Sequence, residues 1–152
     1  MDKDTSNAYV VEGKLALPYT YFAGRVGSAF LIALRDKKQI LGVRCNKCGK
    51  VFVPPRQTCE RCLEDIRDNW VELPGTGEVV NFTVVREADK HLPKAVPYIL
   101  GLIKLDGADT PLAHIIEGIA PEKMTGGLRV KPVFAKESPS TILEIDHFEP
   151  VG

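Results

Sequence analysis

Four cysteines, Cys45, Cys48, Cys59 and Cys62, are the only ones in the chain, and they stand as two Cys-x-x-Cys knuckles separated by a short spacer. A two-residue gap lets both thiolates of a knuckle face one ion, and two such knuckles close a tetrahedral Zn²⁺ site with Zn–S bonds of about 2.3 Å. Gly49 follows the first knuckle, where the turn asks for a positive φ that glycine adopts without cost. The spacing therefore predicts a structural zinc ribbon with Cys45, Cys48, Cys59 and Cys62 as ligands. Buried free thiols, a redox dithiol and a rubredoxin-like iron site are the alternatives. A redox pair needs only one knuckle, and a closed four-thiolate site has no open position for a substrate. Four thiolates on Zn²⁺ carry a formal charge of about −2, which Arg44, Lys47, Lys50, Arg56 and Arg61 are placed in sequence to offset.

The remainder of the chain has to supply an apolar core, and 44% hydrophobic residues in 152 suffice for one. Residues 1–18 are polar, contain Gly13 and end at Pro18, and read as an N-terminal arm. Residues 19–38 read as an amphipathic helix: with Thr20 as N-cap, Phe22, Val26, Ala29, Phe30, Ala33 and Leu34 fall on one face. Gly24 and Gly27 lie inside it and cost roughly 1 kcal/mol each against alanine, so the helix needs packing, either on its own domain or on a partner chain. Residues 39–70 hold the ribbon. Residues 71–152 change rhythm to five β-rich runs, Glu78–Arg86, Tyr98–Leu105, Leu112–Ile116, Leu128–Lys136 and Thr141–Phe148. Pro121 opens a short helix between the third and fourth. That order predicts a five-stranded OB-fold barrel, and hence a mostly β chain with an N-terminal helix, a rubredoxin-like zinc ribbon and an OB-fold.

Charge separates the functions these modules can serve. Residues 35–70 carry nine Lys and Arg against five Asp and Glu, whereas residues 71–152 carry eight against twelve. A zinc ribbon joined to an OB-fold often binds single-stranded nucleic acid, but an acidic barrel with Phe82, Tyr98, Phe134 and Phe148 as its only aromatics is poorly suited to a polyanion. Catalytic signals are also absent. His91, His114 and His147 are solitary, and there is no Gly-x-Ser-x-Gly elbow, P-loop or Gly-x-Gly-x-x-Gly fingerprint. With the thiols committed to metal, no catalytic residue is assigned, and the lone chain is expected to lack thiolase, thioesterase or hydratase activity. No apolar run reaches membrane-span length and the N-terminus lacks a signal-peptide pattern, so the expected setting is the cytoplasm without membrane attachment.

The order of short motifs is more specific than any one of them. Tyr19-Thr20-Tyr21-Phe22-Ala23-Gly24, the first knuckle, Val53-Pro54-Pro55-Arg56, the second knuckle, Trp70, Gly75-Thr76-Gly77-Glu78-Val79 and Thr83-Val84-Val85 follow one another. Pro97-Tyr98, Leu105-Asp106-Gly107, Gly127-Leu128-Arg129-Val130 and Phe148-Glu149-Pro150 continue the series. Over residues 19–150 this resembles the acyl-CoA-associated family of OB-fold proteins with a rubredoxin-like zinc ribbon, long called domain of unknown function 35. The resemblance implies an accessory subunit of a thiolase-fold large subunit, in a heterotetramer of a thiolase dimer flanked by two small chains. Small subunits of the benzoylsuccinyl-CoA thiolase type are similar. It also implies acyl-CoA or coenzyme A shared with the partner, alongside structural Zn²⁺. Bidentate arginines suit the phosphates of CoA. Arg56, on a loop stiffened by two prolines, is the first candidate for that contact, followed by Arg44, Lys47 and Arg25.

Overall fold

The computed structural model describes residues 19–152, so the N-terminal arm lies outside the described residues. One helix, α1 (Gly24–Lys37), precedes a three-stranded sheet and a barrel. In the sheet, β1 (Ile40–Arg44) lies between β2 (Val51–Phe52) and β3 (Trp70–Leu73), antiparallel to both. The barrel strands are β4 (Gly77–Val85), β5 (Tyr98–Leu105), β6 (Leu112–Ile116), β7 (Arg129–Phe134) and β8 (Ile145–Pro150). They close in the order β4-β5-β6-β8-β7, with β6 parallel to β8 and β7 returning to β4. This is the expected zinc-ribbon and five-stranded OB-fold, and a 3-10 turn at Pro121–Lys123 occupies the place of the short helix.

Alternation along the strands explains the closure. On β5, Ile99, Gly101, Ile103 and Leu105 point inward while Leu100, Leu102 and Lys104 point out. β4 and β7 shift from the expected runs by one or two residues at their edges, and β8 and the helix shift further. The last strand begins at Ile145, because Thr141 caps a 3-10 turn over Ile142–Glu144 by accepting from the Leu143 N–H. The helix begins at Gly24, not after a Thr20 cap, and Ala23 at its N-cap offers no side-chain bond.

Helix α1 folds back on its own chain. Val26, Phe30, Ala33 and Leu34 are buried, and Phe30 and Leu34 join the main core with Ile40, Val51, Val53, Leu73 and the barrel interior. Phe22, expected on the same face, is instead 79% exposed. No other backbone of the described chain lies against Gly24 or Gly27: a Cβ on Gly24 would meet nothing within 4 Å, and one on Gly27 only Ala23 of the same helix. At its C-terminal end Lys38 turns into the left-handed region (φ 55) and donates to the fully buried Glu144 at 3.0 Å. Glu144 also accepts from the Ser138 hydroxyl and, at 2.9 Å, from the Ser140 N–H. The Ser138 hydroxyl, and after it Lys38, hold this carboxyl below the usual glutamate range against the opposing effect of burial.

Sheet and barrel are spliced by the β5–β6 loop. Asp109 accepts from Val51 N–H at 2.8 Å, and its own N–H donates to the Val51 carbonyl at 2.9 Å. Thr110 Oγ1 accepts from Val53 N–H and donates to the Val53 carbonyl, at 2.8 and 2.9 Å. Three motifs far apart in sequence meet at another seam, where Asp106 accepts from Thr76 at 2.6 Å and from Arg129 Nη1 at 2.8 Å. Arg129 first, then Thr76, draw the Asp106 carboxyl down to about 2.

Candidate metal centre

The two knuckles are copies of one turn. In the first, the Gly49 N–H donates to the Cys45 carbonyl and the Cys45 N–H to the Lys50 carbonyl, both at 2.8 Å. In the second, Leu63 N–H donates to the Cys59 carbonyl and Cys59 N–H to the Glu64 carbonyl, both at 2.9 Å. Gly49 takes the positive φ of 77° that its position in sequence implied. Leu63 stands at the matching place with φ 57°. Nothing in the sequence reading marked Leu63, although superposing the two knuckles, Cys-x-x-Cys-Gly on Cys-x-x-Cys-Leu, would have done so.

These turns bring the four Sγ atoms within 4.8 Å of one another, with Cys45 and Cys59 buried and Cys48 and Cys62 half-buried. Cys48 Sγ and Cys59 Sγ are 3.7 Å apart. Tetrahedral thiolates at about 2.3 Å from one ion would stand about 3.8 Å from each other, so that pair already has the spacing of two ligands of one Zn²⁺. The backbone amide of Cys48 lowers the Cys45 thiol to about 7, whereas burial, the largest cause, and the other sulfurs push Cys62 up to about 12. A divalent cation overrides that opposition, because coordination deprotonates a thiol outright. Behind the sulfurs lies a small core of Val43, Phe52 and Ile66, with Trp70 against it. The chemistry of such a site is structural: four protein ligands fill the tetrahedron.

The candidate cations around the cluster are mostly engaged. Lys47 meets Glu64 at 3.4 Å, and Glu60 receives both Lys50 and Arg56 at 2.9 Å. The Arg56 guanidinium also lies over the Phe52 ring, 4.8 Å from its centroid. Arg25 sits further off, bound to Asp68 at 3.1 Å, and Arg44 is exposed at the end of β1. The structure thus gathers Lys47 and Arg56 beside the ribbon and leaves Arg25 on the helix.

Elsewhere among the described residues, Glu117, Asp146 and His147 bring ligand-type atoms together. The Lys94 ammonium binds Glu117 at 2.5 Å and Asp146 at 3.2 Å, so a cation of the chain itself already occupies that group. His114 is a core residue, its ring edge-on to Phe148 and its Nδ1 accepting from Ile115 N–H at 2.9 Å. Burial lowers its pKa. On the outer face of β4–β6, where OB-folds hold oligonucleotides, Asn81, Phe82, Thr83, Leu100, Leu102 and Ala113 line a shallow groove of about 210 Å³ that contains no Lys or Arg. No helix among the described residues is long and apolar enough to cross a membrane.

Comparisons with known proteins agree with this layout. Residues 35–66 match the family described as "ChsH2, rubredoxin-like zinc ribbon domain", and residues 70–135 match "ChsH2, C-terminal OB-fold domain". A "DUF35 domain-containing scaffold protein" of Methanocaldococcus jannaschii is 30% identical over 68% of this chain and 72% of its own length. Its namesake in Pyrococcus furiosus is 28% identical over 67% of this chain and 73% of its own. Among solved structures, one titled "Ltp2-ChsH2(DUF35) aldolase" superposes with a TM-score of 0.61 at 26% identity, covering 81% of this chain and 93% of that one. A DUF35-family protein of unknown function from Sulfolobus solfataricus superposes at 0.58 and 29% identity, covering 72% and 78%.

Proposed function

Because the chain belongs to the DUF35 family of zinc-ribbon and OB-fold proteins, we propose that it is the accessory subunit of a thiolase-superfamily complex acting on acyl-CoA. The observation that carries this reading is the convergence of every cysteine in the chain on one closed cluster. A chain whose thiols hold a structural ion needs a partner to supply a thiol nucleophile. The curated relatives are named scaffold proteins, and the aldolase structure pairs a ChsH2 chain with a second component in its title, which supports a partner subunit. The large subunit would bring the catalytic residues, in a heterotetramer of two large and two small chains.

Part of the CoA surface would come from the cations beside the ribbon. Arg56 is held over Phe52 and is only singly bonded to Glu60, so its guanidinium retains donors for a phosphate. Arg44, Lys47 and Arg25 are the further candidates. The uncharged OB groove gives a nucleic-acid reading no support.

The test is reconstitution of the full chain with a thiolase-fold protein from the same source, assayed on aromatic and aliphatic acyl-CoA esters. The pair turns over and the lone chain does not. Arg56→Ala raises KM for the ester several-fold with kcat retained, because a remote phosphate contact is shared by ground and transition states. Turnover by the lone chain would overturn the accessory role, and an unchanged KM would remove Arg56 from the CoA surface.

A further inference from the structure

We propose that the ribbon is a switch sensitive to hydroperoxides, in which Cys48 is oxidised first and Cys59 then joins it in a disulfide, leaving the metal too few thiolates to be held. The two knuckles share out their exposure in the same way. Cys45 and Cys59, the first cysteine of each, are 0% exposed, whereas Cys48 and Cys62 are half-buried and reach the surface. Coordination keeps a cysteine as thiolate, the form that hydroperoxides attack, and among thiolates susceptibility follows exposure. Three features then separate Cys48 from Cys62. The Cys48 Sγ lies 3.7 Å from the Cys59 Sγ of the other knuckle, so a resolving thiol is already at hand. Gly49 follows Cys48, with nothing within 4 Å of the place where a side chain would begin, whereas Leu63 fills the matching place after Cys62. The Lys50 ammonium is held above its usual range chiefly by Glu60, then by Asp109 and the Cys48 sulfur, which puts a cation beside the sulfur where a hydroxide would depart.

In the first step the Cys48 sulfur attacks the hydroperoxide. An S–O bond forms, the O–O bond breaks, and the hydroxide that leaves takes a proton from water, so Cys48 becomes a sulfenic acid. Cys59 then attacks the Cys48 sulfur, the S–O bond breaks, and the second hydroxide takes up a second proton. The two cysteines give up one electron pair, which reduces the peroxide to water. The Sγ atoms close from 3.7 Å to about 2.05 Å. Cys45 and Cys62 remain as thiolates, and two ligands do not complete a tetrahedron. The metal-side core shares no residue with the main core, so what the oxidation loosens is the ribbon.

Hydrogen peroxide in about tenfold molar excess over the purified, zinc-loaded full chain tests this. Zinc release is read with a chromophoric chelator, and the linkage by mass spectrometry of a non-reduced tryptic digest. Cleavage after Arg44, Lys47, Lys50, Arg56 and Arg61 puts each cysteine on its own peptide, so the partners of any disulfide are identified directly. The expected result is loss of the zinc together with a Cys48–Cys59 disulfide, both reversed by dithiothreitol and added zinc. Lys50→Gln keeps its zinc until peroxide is added and then releases it about threefold or more slowly. Zinc retained with every thiol intact overturns the switch, and so does a disulfide that excludes Cys48 or oxidation that dithiothreitol does not reverse. A wild-type rate in Lys50→Gln removes Lys50 from the switch. If the chain as purified holds no zinc, the metal reading fails and the switch falls with it.

Discussion

The ribbon and the barrel reach a folded state by different physics, and the boundary between the two means runs through single strands. On β2, Val51 and the adjoining Val53 point into the main core, while Phe52 between them points to the sulfur cluster. On β1, Ile40 serves the barrel side and Val43 the metal side. The main core contains helix, ribbon and barrel side chains that are apolar throughout. The metal-side core has only Val43, Phe52 and Ile66 besides its cysteines, too little apolar surface to hold two knuckles by burial alone. One half rests on area removed from water, the other on coordination.

Removing the metal should break this comparison most strongly. Cys59→Ser is expected to lose zinc and unfold residues 45–66, with an effect on the order of the 10 kcal/mol or more that structural zinc contributes in small domains. Amide exchange should then show fast exchange in the ribbon and continued protection on β4–β8. Uniform loss of protection would mean that the barrel depends on the metal as well. A cut in the other core comes next: Phe148→Ala, fully buried and packed on His114, should cost about 3–5 kcal/mol in a urea titration and leave zinc content at one per chain. Loss of zinc in that variant would merge the two halves into one cooperative unit. The smallest effect concerns the tie between the end of α1 and the barrel at Glu144. A carboxyl that titrates lower in the folded chain binds fewer protons there than in the unfolded chain. Its stabilisation is therefore complete above the ordinary glutamate value of 4.5 and declines as the pH drops through the folded value. Wild type should exceed Glu144→Gln in melting temperature at neutral pH, and the gap should shrink on acidification. A pH-independent gap would show that Glu144 acts by shape alone.

How legible each half was follows from the same division. Coordination leaves an exact spacing in sequence, and Cys45, Cys48, Cys59 and Cys62 meet as that spacing implied. Burial leaves only alternation, which located β5 and β6 to the residue but overran β8, because Thr141 finds a local capping bond that competes with the ladder. Helix periodicity placed Phe22 with Phe30, and it failed where no helical turn precedes Gly24. Tertiary polar contacts were not legible at all. Nothing local in Asp109, Thr110 or Glu144 marks them as partners of Val51, Val53 and Lys38, since those meetings depend on the closed barrel.

The splice at Asp109 and Thr110 also sets which insertions this scaffold can absorb during evolution. The β4–β5 connection, residues 86–97, runs mostly exposed and can lengthen ahead of Lys94, whose ammonium is tied to Glu117 and Asp146. Residues 106–111 are a fixed-length buckle, and one added residue there would put the Val51 and Val53 amides out of step with their acceptors. Added length is therefore expected to be absorbed by the first loop and refused by the second.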